Sequence, residues 1–143
     1  MVVGLGEIER PLFELPRESG EFDVYGFDVD QAKMRKVGQD GLPSEIGGIH
    51  VCIPCGSQNK FVDTVAGHVK KTKPKLVTIH STVPLGTTQK VFQRCNCLVH
   101  SPVCSVHKSL EHMRWKLKRW TKYVGGVNVE ATKTAREHLQ KLG

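Results

Sequence analysis

The chain has 143 residues, with 21 Lys and Arg against 14 Asp and Glu, for a formal charge of +7. That length suits one domain with a sizeable core, and an apolar fraction of 38% with 24% charged residues describes a globular chain rather than a disordered or collagen-like one. The sequence offers no apolar run near the ~20 residues that cross a bilayer, and no basic stretch leading into an apolar export signal.

Strand and helix signals alternate along the chain. A short apolar strand over residues 1–4 runs straight into Gly4-Leu5-Gly6. A helix over 10–19 follows, with Leu12, Phe13 and Leu15 apolar and Pro16 where a kink or early stop is expected. Residues 22–27 read as a second strand ending at Asp28, and 31–37 as a short polar helix before a Gly-, Pro- and Asp-rich loop. A third strand spans 49–53, and Ser57 is placed to cap a helix reaching about Lys71, with Phe61, Val65 and Val69 on one face. A strand over 75–80, a turn with Pro84, a helix over 87–94 and a strand over 98–103 come next. Residues 121–124 read as a last strand, and Asn128 caps a final helix with Ala131, Ala135, Leu139 and Leu142 on one side.

The strands over 49–53 and 76–79 are apolar without alternation, as expected of strands covered on both faces. Strands of four to six residues separated by helices imply parallel pairing through right-handed crossovers. The expected fold is α/β: a doubly wound parallel sheet in a three-layer α/β/α sandwich of Rossmann-like type, forming one domain over residues 1–143.

Charge is concentrated locally. Between Lys108 and Lys122 there are six basic residues and one acid, Glu111, so this stretch holds +5 of the total. Leu110, Met113, Leu117 and Trp120 recur at helical spacing, which favours an amphipathic helix with outward cations over a nucleic-acid surface. A positive face of this kind also attracts a phosphorylated substrate or an acidic partner. The cysteines are Cys52, Cys55, Cys95, Cys97 and Cys104. The Cys95–Cys97 spacing is too tight for a second zinc knuckle, and Cys52 sits within an apolar run, so packing or loop thiols are expected and no metal. An odd count without an export signal fits reduced thiols in a cytoplasm.

The first chemical motif is the glycine turn. Gly4 allows the tight turn, Gly6 lets a backbone approach a pyrophosphate, and the helix N-terminus beyond favours phosphate. Asp28, 24 residues after Gly4, sits where a carboxylate accepts from an adenosine ribose and repels a 2′-phosphate, which selects NAD over NADP. Position 9, where the fingerprint takes a third glycine, is Glu9, whose side chain is expected to crowd the strand and set negative charge near the pyrophosphate.

Three stretches share one pattern: Val3-Gly4-Leu5-Gly6-Glu7-Ile8 with Val24 to Asp30, then His80-Ser81-Thr82-Val83-Pro84-Leu85-Gly86-Thr87-Thr88, then His100-Ser101-Pro102. Together they resemble the NAD-binding half of the nucleotide-sugar (UDP-glucose/GDP-mannose) 6-dehydrogenases, within the superfamily of 6-phosphogluconate and 3-hydroxyacid dehydrogenases. The resemblance implies an oxidoreductase that transfers hydride from an alcohol to NAD. It implies cofactor contacts at Gly4, Gly6, Glu7, Ile8 and Asp28, at the loop Ile53-Pro54, and at Ser81 and Thr82, with Thr82 helping to position a catalytic water. It also implies a dinucleotide, a phosphorylated or nucleotide-sugar substrate and a homodimer as partners. The family carries a Glu after Ser-Pro where this chain has Val103, and its substrate domain with the nucleophilic Cys is not part of these 143 residues. The alternative expectation is a Rossmann-like binding module without dehydrogenase chemistry. His80 and His100 stand at strand ends and His107 just beyond, where a general base could reach a nicotinamide, although most of the seven histidines are expected at the surface or in packing.

Overall fold

A computed structural model describes residues 1–6, 10–95, 97–103, 109–119 and 121–141. Its six strands form one sheet: β1 (Val2–Val3), β2 (Gly26–Phe27), β3 (Gly48–Val51), β4 (Leu76–Ile79), β5 (Leu98–His100) and β6 (Gly125–Gly126). The six helices are α1 (Arg10–Ser19), α2 (Gln31–Val37), α3 (Gln58–Thr72), α4 (Thr87–Phe92), α5 (Leu110–Arg119) and α6 (Val129–Lys141). The sheet order is β2-β1-β3-β4-β5-β6, parallel throughout except that β6 returns antiparallel to β5. This is the doubly wound α/β architecture that the alternation of apolar runs and helical stripes predicts.

Each face of the sheet has its own packing. On one, Val3, Ile49, Val51, Val77, Ile79 and Leu98 meet Phe61, Val62 and Val65 of α3 and Val91 of α4. On the other, the apolar packing is divided. Val2 and Cys52 pack with Leu12 and Phe13 of α1, while Leu76 and Val99 pack with Ala131 and Ala135 of α6. Between these two clusters lie His50, Thr78 and His80, all buried. The two alanines of α6 are wholly buried, and their small side chains let that helix lie close beneath β4 and β5.

Local signals account for most element boundaries. Asp30 caps α2 by accepting from the Ala32 amide at 2.8 Å, and Asn128 Oδ1 accepts from the Ala131 amide at 2.7 Å. Ser57 stands at the start of α3 in extended conformation, but its side chain makes no capping bond; its carbonyl receives the Phe61 amide instead. Helix α1 continues over its whole expected range despite Pro16, which forfeits one helical hydrogen bond without ending the helix. Helix α5 forms where the basic segment predicts it, with Met113 buried and Arg114 reaching Glu14 and Glu18 of α1.

Three expectations are corrected. The second strand is expected over 22–27, but only Gly26–Phe27 pairs with β1, and Phe22 instead sets its ring edge-on against His138, centroids 5.4 Å apart. The last strand forms at Gly125–Gly126 rather than 121–124, and it runs antiparallel. Residues 121–123 instead border a cavity beneath the sheet, and pairing with His100 and Val99 begins only at the two glycines. The strand expected over 98–103 pairs only through His100 and ends before Pro102, although the Ser101 amide still reaches the Ile79 carbonyl.

Candidate functional site

The sheet reverses its winding between β1 and β3. From β1 the chain crosses through α1 to β2 on one side, and from β3 through α3 to β4 on the other. The carboxyl ends of these two strands therefore border the crevice where ligands of open α/β sheets bind. Gly4 leaves β1 with φ +93°, a conformation that favours glycine. A Cβ there would lie 2.7 Å from the Cys52 carbonyl oxygen and 3.1 Å from Ile53, so the turn is folded tightly onto the end of β3.

Asp28 joins this turn to the end of β2. Its Oδ2 accepts from the Leu5 amide at 2.8 Å and from Lys33 Nζ at 3.2 Å, while Oδ1 accepts from the Asp30 amide at 2.9 Å. Burial pushes the Asp28 pKa up, but these hydrogen bonds and the Lys33 charge outweigh it, so the carboxyl sits below its ordinary value. A carboxylate offers about four acceptor positions, so roughly one remains for a ligand hydroxyl. The Leu5 amide is committed to Asp28, and the Gly6 carbonyl accepts from the Arg10 amide at 3.0 Å at the start of α1. The glycine turn and the acid thus form one hydrogen-bonded unit at the carboxyl ends of β1 and β2.

The next strand ends converge on the same edge. Ser81 Oγ donates to the Ile53 carbonyl at 2.6 Å, tying the turn after β4 to the loop after β3. His100 Nε2 meets the Ser81 carbonyl at 3.1 Å. Thr82 and Pro54 are exposed. The structure therefore places Gly4, Gly6, Asp28, Ile53, Pro54, Ser81 and Thr82 along the carboxyl ends of β1 to β4. Glu7, Ile8, Glu9, Cys104, His107, Lys108, Trp120 and Leu142 lie outside the described residues, so the expectations for them stand as sequence readings.

A second constellation lies beneath the sheet. His80 Nδ1 is 2.7 Å from the Ser101 carbonyl, His80 Nε2 is 2.9 Å from His50 Nδ1, and His50 Nε2 is 2.9 Å from His138 Nε2. The rings of His50 and His80 are within 8° of parallel. A carbonyl only accepts, so His80 carries its proton on Nδ1, and the neutral chain then assigns donors at His50 Nδ1 and His138 Nε2. One backbone oxygen thereby fixes three tautomers. Burial is the main cause that drives the His50 pKa well below its usual range, aided by the neighbouring imidazoles. Burial likewise takes His80 down to about 4, against the opposing Ser101 hydrogen bond. His138 is lowered chiefly by burial. Thr78, paired in register with His50, buries its hydroxyl beside this chain, and Oγ1 has no partner among the described residues.

Sequence reasoning singles out His80 at its strand end but does not see His50 as its partner, or His138 as the second partner of His50. The available signal is His50 inside one otherwise apolar strand and His80 directly after another; their connection to each other and to His138 depends on the β3–β4 register and on where α6 docks. Among the described residues no three His, Cys, Asp or Glu side chains gather as a metal-holding group. Cys52 is buried, and burial first of all raises the thiol of Cys95 to about 11. No described helix is long and apolar enough to cross a membrane.

Among solved structures, the fold is similar to that of prephenate dehydrogenase from A. aeolicus, solved in complex with hydroxyphenyl propionate and NAD+. The TM-score is 0.72 at 13% identity, covering 99% of this chain and 56% of that chain. No family model matches the chain, and no curated protein matches it. The chain thus spans little more than half the length of that dehydrogenase, and at this identity the likeness establishes a shared Rossmann-type fold.

Proposed function

We propose that this chain is the NAD-binding domain of an oxidoreductase. The observation that carries the reading is the bond from the Leu5 amide to the Asp28 carboxylate, which unites glycine turn and acid at the switch point of the sheet. On this reading Gly4, Gly6, Glu7 and Ile8 cradle the pyrophosphate, Asp28 accepts from the adenosine ribose, and Ile53 and Pro54 line the path toward the nicotinamide. Ser81 and Thr82 stand at the reacting end, where exposed Thr82 holds a water. Bound NAD would supply the hydride acceptor for an alcohol substrate. The Ser81-Thr82-Val83-Pro84-Leu85-Gly86-Thr87 stretch favours a nucleotide-sugar substrate, as its resemblance to the 6-dehydrogenases implies, and Lys33 and Lys36 add positive charge near the ribose acid.

Calorimetry with NADH, NADPH and ADP-ribose tests the reading. NADH and ADP-ribose should bind, with NADPH weaker because Asp28 opposes a 2′-phosphate. Absence of binding by all three at millimolar ligand overturns it. That outcome supports the second reading, a Rossmann-like module without dehydrogenase chemistry, which is favoured by the internal use of most Asp28 acceptor positions and by Val103 in place of an acid.

A further inference from the structure

On the histidine-bearing face of the sheet, α1 packs against α5 while α6 lies beneath β4, β5 and β6. Between these groups is a cavity of about 360 Å³, within the range of small-molecule sites. Leu12, Leu15 and Pro16 of α1, Met113 and Leu117 of α5 and Leu139 of α6 give it apolar walls. Among the described residues its charged lining is of one sign: Lys116, Lys118 and Lys122 border it, and no described Asp or Glu does. His80 and Ser101 form its inner end. Both ring nitrogens of His80 are already taken, by the Ser101 carbonyl and by His50, so His80 presents ring carbon to the space and needs nothing from a ligand.

Lys122 is the group that calls for one. It is half-buried, and none of the described carboxylates pairs with it. Burial lowers its pKa, as expected of an ammonium that has lost water without gaining an anion. A neutral apolar molecule would fill the walls but leave that charge unanswered. A small polar anion would satisfy the charge but gain nothing from six apolar side chains. Only a molecule with one anionic head and an apolar body uses both.

We propose that this cavity binds a small organic monocarboxylate with an aliphatic or aromatic body, the carboxylate pairing with Lys122 and the body lying between α1, α5 and α6. The site shares no residue with the carboxyl-edge positions assigned to the dinucleotide, so its occupancy can be read independently of NAD binding. Lys118 is exposed at the rim and acts through long-range attraction, while Lys122 makes the contact.

Octanoate is a suitable probe, with octanol and octylamine as neutral and cationic matches. Methyl-labelled methionine gives a local readout in the intact chain, because Met113 lines the cavity whereas Met1 and Met34 do not. Octanoate should shift the Met113 methyl signal saturably, octanol should bind about tenfold or more weakly, and octylamine weaker still. Lys122→Met should cost octanoate about tenfold in affinity, and Lys122→Arg should retain most of it. Equal binding of octanoate and octanol overturns the proposal. So does a Met113 signal that stays still up to millimolar octanoate, or an unchanged affinity in Lys122→Met. If Lys122→Met fails to fold, the comparison of the three probes on the unaltered chain decides the matter.

Discussion

Lowering the pH from 7 to 5 protonates histidines in the unfolded chain, where the pKa is near 6.5, but not those held neutral beneath the sheet. The unfolded state then binds more protons, so stability falls with pH through this window. A histidine whose folded pKa is depressed contributes stability that is complete above its unfolded value and lost as the pH falls toward its folded value. For His80, taken to about 4 in the fold, the loss is about 2 kcal/mol by pH 5 and about 3 kcal/mol at the acid limit. His50, lowered further, adds to this. The titratable groups facing the two rings, namely His138, His100, Lys122 and the Met1 amine, are all basic, and among the described residues the Ser101 carbonyl alone favours a charged His80 without outweighing burial. Asp28 contributes in the same direction only at lower pH, because its hydrogen bonds and the Lys33 ammonium hold its carboxyl below the ordinary carboxylate value. Urea unfolding provides the assay. With a slope of about 2 kcal/mol per molar, the midpoint should drop by about 1 M between pH 7 and pH 5. The His50→Gln/His80→Gln double variant should lose most of that dependence. A midpoint that holds steady from pH 7 to pH 5, or that falls equally in the double variant, refutes the reasoning.

Other perturbations test the parts that frame the site. Gly4→Ala combines a positive φ with a 2.7 Å approach to the Cys52 carbonyl, and should cost about 2–4 kcal/mol in urea unfolding. Asp28→Ala releases the Leu5 amide and the Lys33 ammonium together; calorimetry should show NADH affinity reduced about tenfold or more, from loss of a charged acceptor. Ala135→Leu forces a larger side chain beneath Leu76 and Val99, and thermal unfolding should register about 1–3 kcal/mol of destabilisation.

The layout of the sheet was legible because its signals are local. Unalternating apolar strands at 49–53 and 76–79, the Phe61-Val65-Val69 stripe and the Asn128 cap each declare themselves within a dozen residues. The glycine turn and Asp28 were legible as a pair through order and spacing, although their direct bond depends on how β1 and β2 align. What escaped depends on contacts between distant segments. Phe22 looks like a strand residue until His138, far along the chain, offers a ring to cover. His50 looks like an isolated polar interruption until register and the docking of α6 set partners on both of its nitrogens. Residues 121–124 have strand-like composition, yet 121–123 line the cavity and pairing with β5 is made at Gly125 and Gly126.

The outermost strands, Gly26–Phe27 and Gly125–Gly126, are each two residues long. A neighbouring molecule seeking to extend the sheet would find a docking rail only one or two peptide units deep at either flank. Such stubs give backbone-to-backbone annexation little purchase, which guards against fibrous polymerisation. Any pairing of two copies would consequently rest on side chains rather than on the ladder itself.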